Sequence, residues 1–311
     1  MRQVAVGERG DGQRLDNFLA KILNDVPRSH LFRVIRKGEV RVNGKRAKPE
    51  TRLQASDVVR IPPVRVGEAA PPRRAPPSMV QDLTQSIVHE DPRLLVIDKP
   101  AGIAVHGGSG VSFGVIEALR AARPDETLEL VHRIDRDTSG LLLIARKPAA
   151  LRALHALMRE GRVEKRYLAL VKGKWELGHK RIDVPLRTDI RVGGERTVKA
   201  HESGKAAVSV FKPVQFFGKR VTLVEVALET GRTHQIRVHA AHAGYPLAGD
   251  EKYGDEEFNE KMKLAGLGRM FLHAHQVSFA WPDTGVEFSA SAPLPADLAS
   301  VVDYLQASHH A

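Results

Sequence analysis

Short apolar runs separated by Gly and Pro dominate the chain from about residue 87 onward. Runs of this length, bounded by turn residues, are typical of strands, whereas apolar residues three or four apart are typical of helices. The runs that predict strands are Leu94–Ile97, Leu141–Ala145, Tyr167–Val171, Val208–Phe211, Val221–Val226 and Val277–Phe279. Helical spacing is clearest over Val115–Ala122 and Ala149–Glu160. Many strands with few helices predict an α+β domain built on a mostly antiparallel, mixed sheet.

The first quarter of the chain has a different pattern, which predicts a small α/β domain. Apolar residues are spaced helically over Gln13–Leu23, and Pro27 is suited to open a second helix, Arg28–Lys37. Val40–Val42 alternates like a strand, Asn43 with Gly44 is a hairpin-turn signal, and a further strand is indicated at 58–61.

Composition shifts divide the chain into three parts. We expect a small domain at residues 1–66, an extended proline-rich linker at 67–81 and a larger domain at 82–306. The linker prediction rests on four prolines within residues 67–78. No internal repeat is apparent.

The positive charge of the chain is concentrated near its N-terminus. The 311 residues carry a net charge of +11, of which residues 1–75, with 17 Lys and Arg against 8 Asp and Glu, account for +9. A basic module beside a nearly neutral domain predicts binding to a polyanion such as nucleic acid. Its candidate phosphate contacts are Arg28, Arg33, Arg36, Lys37, Arg41, Lys45 and Arg46.

Several classes of protein are excluded or disfavoured by composition. The chain has no Cys, which excludes disulfides, thiolate metal sites and cysteine nucleophiles. No apolar run is long enough to span a membrane, and the first residues lack the apolar core of a signal peptide. We therefore expect a soluble cytoplasmic protein, and a monomer.

Asp135 is the first candidate for chemistry. It lies in a predicted loop before the apolar run Leu141–Ala145, between Arg133 and Arg136. A carboxylate beside fixed cations stays ionised at neutral pH and can act as a nucleophile or base. The alternative is that Asp135 only forms a structural ion pair. For Arg136 we expect a phosphate contact or a structural role.

A second polar segment, Thr230–His239, follows the run 223–228. Arg237 could pair with Asp135, while Arg232 and His234 could contact phosphates. The alternative is a polar surface loop. A third candidate is Tyr167, at the start of a predicted strand, because an aromatic ring at the edge of a site can stack on a base. Ordinary core packing is its alternative.

Other motifs carry less weight. The stretch 106–110 begins with His106 and is rich in Gly, but it matches neither the P-loop nor the dinucleotide-binding pattern. We interpret it as a glycine turn lining a cleft, with His106 as a candidate RNA contact. No pair of His residues has the HExxH spacing, so no metal site is predicted.

Taken together, these motifs identify a family. The segment His132–Gly140 resembles the H-R-L-D-x-x-T-S-G motif of the RluA group of RNA pseudouridine synthases, with Ile134 in place of Leu. Lys165-x-Tyr167 and Gly231–His239 resemble two later motifs of that group, and the resemblance spans nearly the whole chain. The stretch 36–44 resembles the alpha-L RNA-binding motif of ribosomal protein S-four. The resemblance implies that residues 1–66 form an RNA-binding domain and residues 82–306 the catalytic domain.

The resemblance implies an activity and roles for individual residues. It implies isomerisation of uridines in 23S ribosomal RNA, or in a large-subunit precursor, without a cofactor. Asp135 would be the nucleophile, with attack at C1′ or at C6 left open, and Arg237 its ion-pair partner. Tyr167 would stack on the target uracil and take part in proton transfer at C5. Arg133 would fill the gap left by the flipped uridine.

Two other functions are considered. Asp135-x-Asp137 resembles the aspartate pair of metal-dependent phosphotransferases of the haloacid-dehalogenase type, but that class requires an apolar strand directly before the first Asp and a doubly wound sheet. A non-catalytic RNA-binding factor in ribosome assembly would explain the basic module. It would leave Asp135, Tyr167 and Arg237 unexplained.

Overall fold

The chain forms two compact units, residues 1–73 and 74–311. The computed structural model describes residues 2–23, 26, 28–63, 75–107, 113–190 and 196–308. The division falls within the segment 67–81 expected to be a linker, of which residues 67–74 lie outside the described residues. No helix in the described ranges is long and apolar enough to cross a membrane.

The N-terminal unit packs two helices on a small antiparallel sheet with strand order β1-β4-β2-β3. Its elements are β1 Arg2–Ala5, a 3₁₀ turn Glu8–Gly10, α1 Leu15–Ile22, α2 Arg28–Lys37, β2 Arg41–Val42, β3 Lys45–Arg46 and β4 Val58–Ile61. The helically spaced apolar residues of α1 and α2, among them Leu19, Leu31 and Ile35, are buried in one core with Val59 of β4.

The hairpin between β2 and β3 has the predicted Asn-Gly turn. Asn43 and Gly44 both have positive φ, 50° and 76°, as a two-residue turn that matches strand twist requires. The Asn43 side chain donates to Asp57 Oδ1 at 2.7 Å and accepts from the Val58 N–H at 2.8 Å. The turn therefore fixes the position of Lys45 and its neighbours.

The second unit is built on a ten-stranded sheet among the described residues. Its helices are α3 Pro77–Gln85, α4 Val115–Ala122, α5 Pro148–Arg159, α6 Gln235–His242, α7 Glu256–Leu264 and α8 Ala296–Ala307. Its strands are β5 Ile87–Glu90, β6 Leu94–Lys99, β7 Glu129–Leu130, β8 Ser139–Ala145, β9 Glu164–Lys172, β10 Lys180–Asp183, β13 Val208–Phe217, β14 Val221–Leu228, β15 Leu272–Ala280 and β16 Glu287–Ser291. A separate hairpin pairs β11 Leu186–Ile190 with β12 Arg196–Ala200.

The main path through this sheet runs β10-β13-β14-β9-β15-β8-β6-β5, with β16 beside β15 and β7 beside β8. The β8–β15 pair is parallel, and the other pairs of this sheet are antiparallel. The predicted α+β architecture with a mostly antiparallel mixed sheet is confirmed. All six apolar runs lie within strands, and both helical patterns lie in α4 and α5.

Strand β8 is apolar throughout because both of its faces are buried. Leu142 and Ile144 contribute to the core that also contains α4, while Leu141 and Leu143 contribute to a second core with α5. A strand covered on both sides shows a continuous apolar run instead of alternation. Since β8 follows the Asp135 loop directly, it gives that loop a rigid base.

The structure differs from the sequence patterns in two places, one a helix that no pattern predicted and the other a part of the expected linker. Residues 235–242, within or just after the segment that could have been a polar loop, form helix α6. Its buried face includes Gln235 and His239, whose side chains bond to Ser209 and to backbone carbonyls, so apolar periodicity could not reveal it. Residues 77–81 of the expected linker are not extended but begin α3, with proline in the first turn.

Gly140 marks the closest approach of β8 to β15. Its φ is +110°, and a Cβ there would clash with the Ala274 carbonyl oxygen and lie 2.6 Å from the Ala274 nitrogen. Both atoms belong to the backbone and cannot swing aside. The parallel pairing of Ala274 with residue 140 therefore requires glycine.

Gly140→Ala should lower the free energy of unfolding by about 3 kcal/mol or more, since it combines backbone strain with a backbone clash. Gly161→Ala is the matched control, because Gly161 also has positive φ, +70°, but a Cβ placed on it would have no atom within 4 Å. We expect it to cost about 1 kcal/mol. Urea unfolding measures both, and equal losses would contradict the close-approach argument.

Candidate active site

A cleft of roughly 680 Å³ opens in the second unit. Its walls come from the loop before β8, the loop between β14 and α6, strand β9 and the end of α5. The predicted site residues that line it are Arg133, Asp135, Tyr167, Arg232, His234 and Arg237. Three motifs that are far apart in the sequence therefore meet in one cavity.

Asp135 presents its carboxylate to two side chains of the third motif. Its Oδ2 lies 3.6 Å from Arg237 Nη1 and 4.0 Å from His234 Nε2, and its side chain is 19% exposed. Burial lowers the pKa of His234, although the charge of Asp135 opposes this. Because His234 is then neutral near pH 7, Arg237 supplies the fixed positive charge beside Asp135.

The Asp135 loop is held from below by a buried lysine. The Lys99 ammonium is fully buried and donates to three backbone carbonyls, those of Pro100, Ile103 and Arg136, at 2.7, 2.9 and 3.0 Å. Burial lowers the pKa of Lys99 to about 7. Since Arg136 directly follows Asp135, these bonds restrict where the carboxylate can lie.

His132 attaches the other end of the loop to β8. Its Nε2 accepts from the Leu143 N–H at 3.2 Å. Burial, assisted by the nearby charge of Lys165, lowers the pKa of His132 to about 3. The ring is therefore a neutral acceptor at physiological pH, and it closes the loop against the strand.

Arg237 makes its shortest bonds to a residue other than Asp135. Its Nε and Nη2 each donate to an Asp250 carboxylate oxygen at 2.7 Å. Asp250 is only 1% exposed and also accepts from the backbone N–H groups of Lys252 and Tyr253. Burial would raise the pKa of Asp250, but the bonds from Arg237 and the backbone outweigh it and lower the pKa.

His234 is placed by an unusual backbone conformation. Its φ and ψ are 52° and 23°, in the left-handed region that non-glycine residues rarely adopt. The Tyr253 hydroxyl accepts from the Val198 N–H at 2.9 Å and lies 2.9 Å from His234 Nδ1. The same Tyr253 ring lies 4.9 Å from the Arg237 guanidinium. Tyr253 therefore supports both neighbours of Asp135.

Tyr167 belongs to the core and to the cleft at once. It lies within β9, paired with Val226 and Ala274, and is 6% exposed. Burial and the charge of Asp135 raise its pKa, so its hydroxyl stays protonated. No residue in the described ranges is hydrogen-bonded to that hydroxyl. The sequence left two roles open for Tyr167, core packing and stacking on a base, and its position is compatible with both.

The remaining predicted RNA contacts are spread over the surface. Arg133 and Arg232 are exposed in the cleft, and Arg232 Nε donates to the Ala206 carbonyl at 3.0 Å. Arg136 and His106 are also exposed, but in the described part of the chain neither lines the cleft. Arg136 instead lies 3.6 Å from Asp137.

In the N-terminal unit, basic side chains gather on α2 and the β2–β3 hairpin. Arg46 Nη2 donates to the Arg36 carbonyl at 2.9 Å, which joins the hairpin to the end of α2. The exposed cations are Arg33, Arg36, Lys37, Lys45 and Arg46, with Arg41 partly buried. The Arg28 side chain lies outside the described residues.

Sequence reasoning missed several residues of the cleft. Arg159, at the end of α5, lines it but belongs to none of the motifs. Asp250 and Tyr253 were not predicted as site residues, because their contacts with Arg237 depend on a turn that the sequence does not reveal.

Comparison with known proteins decides the family. Residues 93–242 match the family model described as RNA pseudouridylate synthase, and residues 13–59 match the S4 domain model. The chain is 49% identical to ribosomal large subunit pseudouridine synthase C of Pasteurella multocida, over 98% of this chain and 94% of that protein. It is 52% identical to the protein of that name from Haemophilus ducreyi, over 95% and 93%.

The chain belongs to the RNA pseudouridine synthase family.

The fold of this pseudouridine synthase agrees with a solved relative. Human RNA pseudouridylate synthase domain containing 4 superposes with a TM-score of 0.61 at 24% identity, covering 74% of this chain and 96% of that one. The match to the S4 domain confirms the predicted class of the N-terminal domain. The resemblance on which the enzyme class rested is therefore confirmed.

Asp250→Asn in this synthase should lower the free energy of unfolding at pH 7 by roughly 3–5 kcal/mol, because it leaves a buried guanidinium with a weaker partner. The folded-state pKa of Asp250 lies below its usual value near 3.9. Its contribution is thus present above about pH 4 and is lost as pH falls through the lower folded-state pKa, so the variant should differ less from wild type in acid.

Asp297→Asn is the control, since Asp297 pairs with Arg269 at 2.6 Å but is 54% exposed. We expect that variant to cost at most about 1 kcal/mol. Chemical denaturation at pH 7 and near pH 3 gives both values. A loss for Asp250→Asn no larger than that of the control would show that the buried pair is not the constraint described.

Proposed function

We propose that this enzyme isomerises uridines of large-subunit (23S) ribosomal RNA to pseudouridine. Two observations support the proposal. Relatives about half identical over nearly the whole chain are ribosomal large subunit pseudouridine synthases. The cleft also brings Asp135, Tyr167 and Arg237 together. The proposal depends most on this observation.

The reaction needs an ionised carboxylate and little else. The N1–C1′ bond breaks, the uracil rotates, and C5 joins C1′ while the C5 proton is lost and N1 gains one. Nothing is oxidised or transferred to another molecule, so we expect no cofactor. Attack at C1′ of the ribose or at C6 of the base would each use the carboxylate that Asp135 presents to the cleft.

Arg237 and Tyr167 take different parts in this proposal. The Arg237 guanidinium offsets the negative charge of Asp135 across 3.6 Å while Asp250 fixes its orientation. Tyr167 stacks on the uracil. Because its pKa is raised, its hydroxyl stays protonated and assists at C5 as a hydrogen-bond donor. The Asp135 carboxylate, free again once C5 has joined C1′, accepts the C5 proton, and N1 gains one in exchange.

The target nucleotide must leave the RNA stack to reach Asp135. Flipping costs a few kcal/mol. Arg133 is exposed at the cleft, and its side chain has no bond to another described residue, so it is available to fill the gap. The basic face of the N-terminal unit adds phosphate contacts that hold the RNA without reading its sequence.

The two other functions fit the fold less well. A phosphotransferase of the type considered requires an apolar strand before Asp135 and a parallel, doubly wound sheet. Here the strand, β8, follows Asp135, and the sheet is mainly antiparallel. A non-catalytic assembly factor is not expected in a family of enzymes. The expected monomeric state and cytoplasmic location stay predictions.

Asp135→Asn should reduce isomerisation by at least roughly 10⁴-fold, since the amide is not a nucleophile, while RNA binding persists. Tritium release from C5-labelled uridine in an unmodified large-subunit transcript measures turnover, and filter binding measures affinity. Asp137→Asn is the matched control, because Asp137 is exposed and does not line the cleft in the described part of the chain.

The control also separates the functions. If Asp137→Asn were as inactive as Asp135→Asn, the result would favour the aspartate pair of the phosphotransferase hypothesis. The proposal of a single nucleophile would then fail. Normal turnover by Asp135→Asn would refute the assignment directly.

Replacing Arg33, Arg36 and Lys37 together by Gln should weaken binding of the same transcript and reduce its salt dependence. Each lost phosphate contact lowers the slope of log affinity against log salt by about 0.7–0.9. We expect a smaller change in the single-turnover rate at saturating enzyme. A matched triple change at Lys174, Lys219 and Lys212, exposed in the second unit, controls for net charge; equal effects would argue against a specific role for α2.

A further inference from the structure

Lys165 is a cation of the cleft that has no partner in the described part of the chain. It lies in β9 two residues before Tyr167, so both side chains are on the same face of the strand. Its Nζ would lie 3.8 Å from a Cβ placed on Gly231. The ammonium therefore sits where β9 meets the loop between β14 and α6, at the wall of the cleft.

Lys165 is partly buried in this position. Burial lowers the pKa of Lys165, and no carboxylate opposes the shift. Two other lysines of this unit do have partners: Lys99 donates to three carbonyls, and Lys172 pairs with Asp255. A partly buried cation without such partners is expected where a ligand supplies them.

The charges around Lys165 point to an anionic ligand. Arg133, Arg159 and Arg232 also line the cleft, and none forms an ion pair with a described carboxylate. Both acids of the cleft are engaged, since Asp135 lies beside Arg237 and Glu229 pairs with Arg181. Uracil is neutral, so the anionic group that an RNA substrate brings is its backbone phosphate.

We propose that Lys165 binds the backbone phosphate adjoining the flipped uridine while Tyr167, two residues along the same strand, holds its base. The proposal rests on the function proposed above and adds a substrate contact to it. Two residues of a strand span about 6.6 Å, of the same order as the separation of a base from the phosphate of its own nucleotide. Strand β9 thereby positions both the phosphate and the base of the nucleotide.

The test compares Lys165→Met with Lys165→Arg in the full chain. With the unmodified large-subunit transcript, we expect Lys165→Met to raise KM about tenfold and to change kcat less than threefold. The slope of log KM against log salt should fall by about 0.7, as for one phosphate of a single strand. Lys165→Arg keeps the charge and should restore KM to within threefold of wild type.

Lys219→Met is the control, because Lys219 is an exposed lysine at the turn between β13 and β14, and its KM and salt slope should match wild type. Thermal unfolding separates binding from structure. Removing a partly buried cation that has no partner should leave Tm unchanged or raise it, so a lower Tm for Lys165→Met would overturn the proposal. A fall in kcat with unchanged KM and salt slope would also overturn it, as would failure of Lys165→Arg to restore KM.

A second measurement keeps this test independent of turnover. Transcript affinity is compared between Asp135→Asn and the double variant Asp135→Asn with Lys165→Met; the double variant should bind about tenfold more weakly, and equal affinity would refute the phosphate contact. If wild type released no tritium from the transcript, the proposed function would fail, while this binding comparison would still decide the role of Lys165.

Discussion

The buried pair of Arg237 and Asp250 is the interaction on which the site depends. Two 2.7 Å bonds fix the guanidinium plane, and backbone N–H groups satisfy the remaining capacity of a carboxylate that is almost fully buried. With those nitrogens committed, Nη1 remains directed at Asp135, 3.6 Å away. A flexible arginine would lose side-chain entropy at each approach to Asp135, whereas a held one presents its charge before any substrate arrives.

The opposite side of the site is fixed by backbone contacts. Lys99 holds the carbonyl next to Asp135, His132 accepts an N–H from β8, and Gly140 lets β8 meet β15 without a side chain between them. Each of these contacts involves the main chain of the loop or of a strand beside it. The Asp135 carboxylate is thus held in position by a strand that is buried on both faces. The geometry of the site therefore depends on the packing of the sheet.

The cleft also keeps features that folding alone would not favour. Lys165 is a cation without a partner in the described ranges, His234 has a left-handed backbone, and the Tyr167 hydroxyl has no bond to a described residue. Gln235 and His239, two polar residues of the buried face of α6, are by contrast both hydrogen-bonded. Polar groups that line a cavity and have no partner there are available to hydrogen-bond a substrate.

The sequence alone determined the class of the fold and the three motifs. The apolar runs located β6, β8 and β9, the Asn43–Gly44 pair located a hairpin, and the Asp135, Tyr167 and Arg237 motifs could be recognised, because these signals are local and depend on period, turn chemistry and short spacing. Tertiary structure decided the rest. Helix α6 is buried through Gln235 and His239, and Asp250 lies thirteen residues after Arg237 in sequence. Lys165 is partly buried where β9 meets the loop at Gly231. Burial and pairing are properties of the assembled sheet, so no local pattern could show which charges would be matched and which left for RNA.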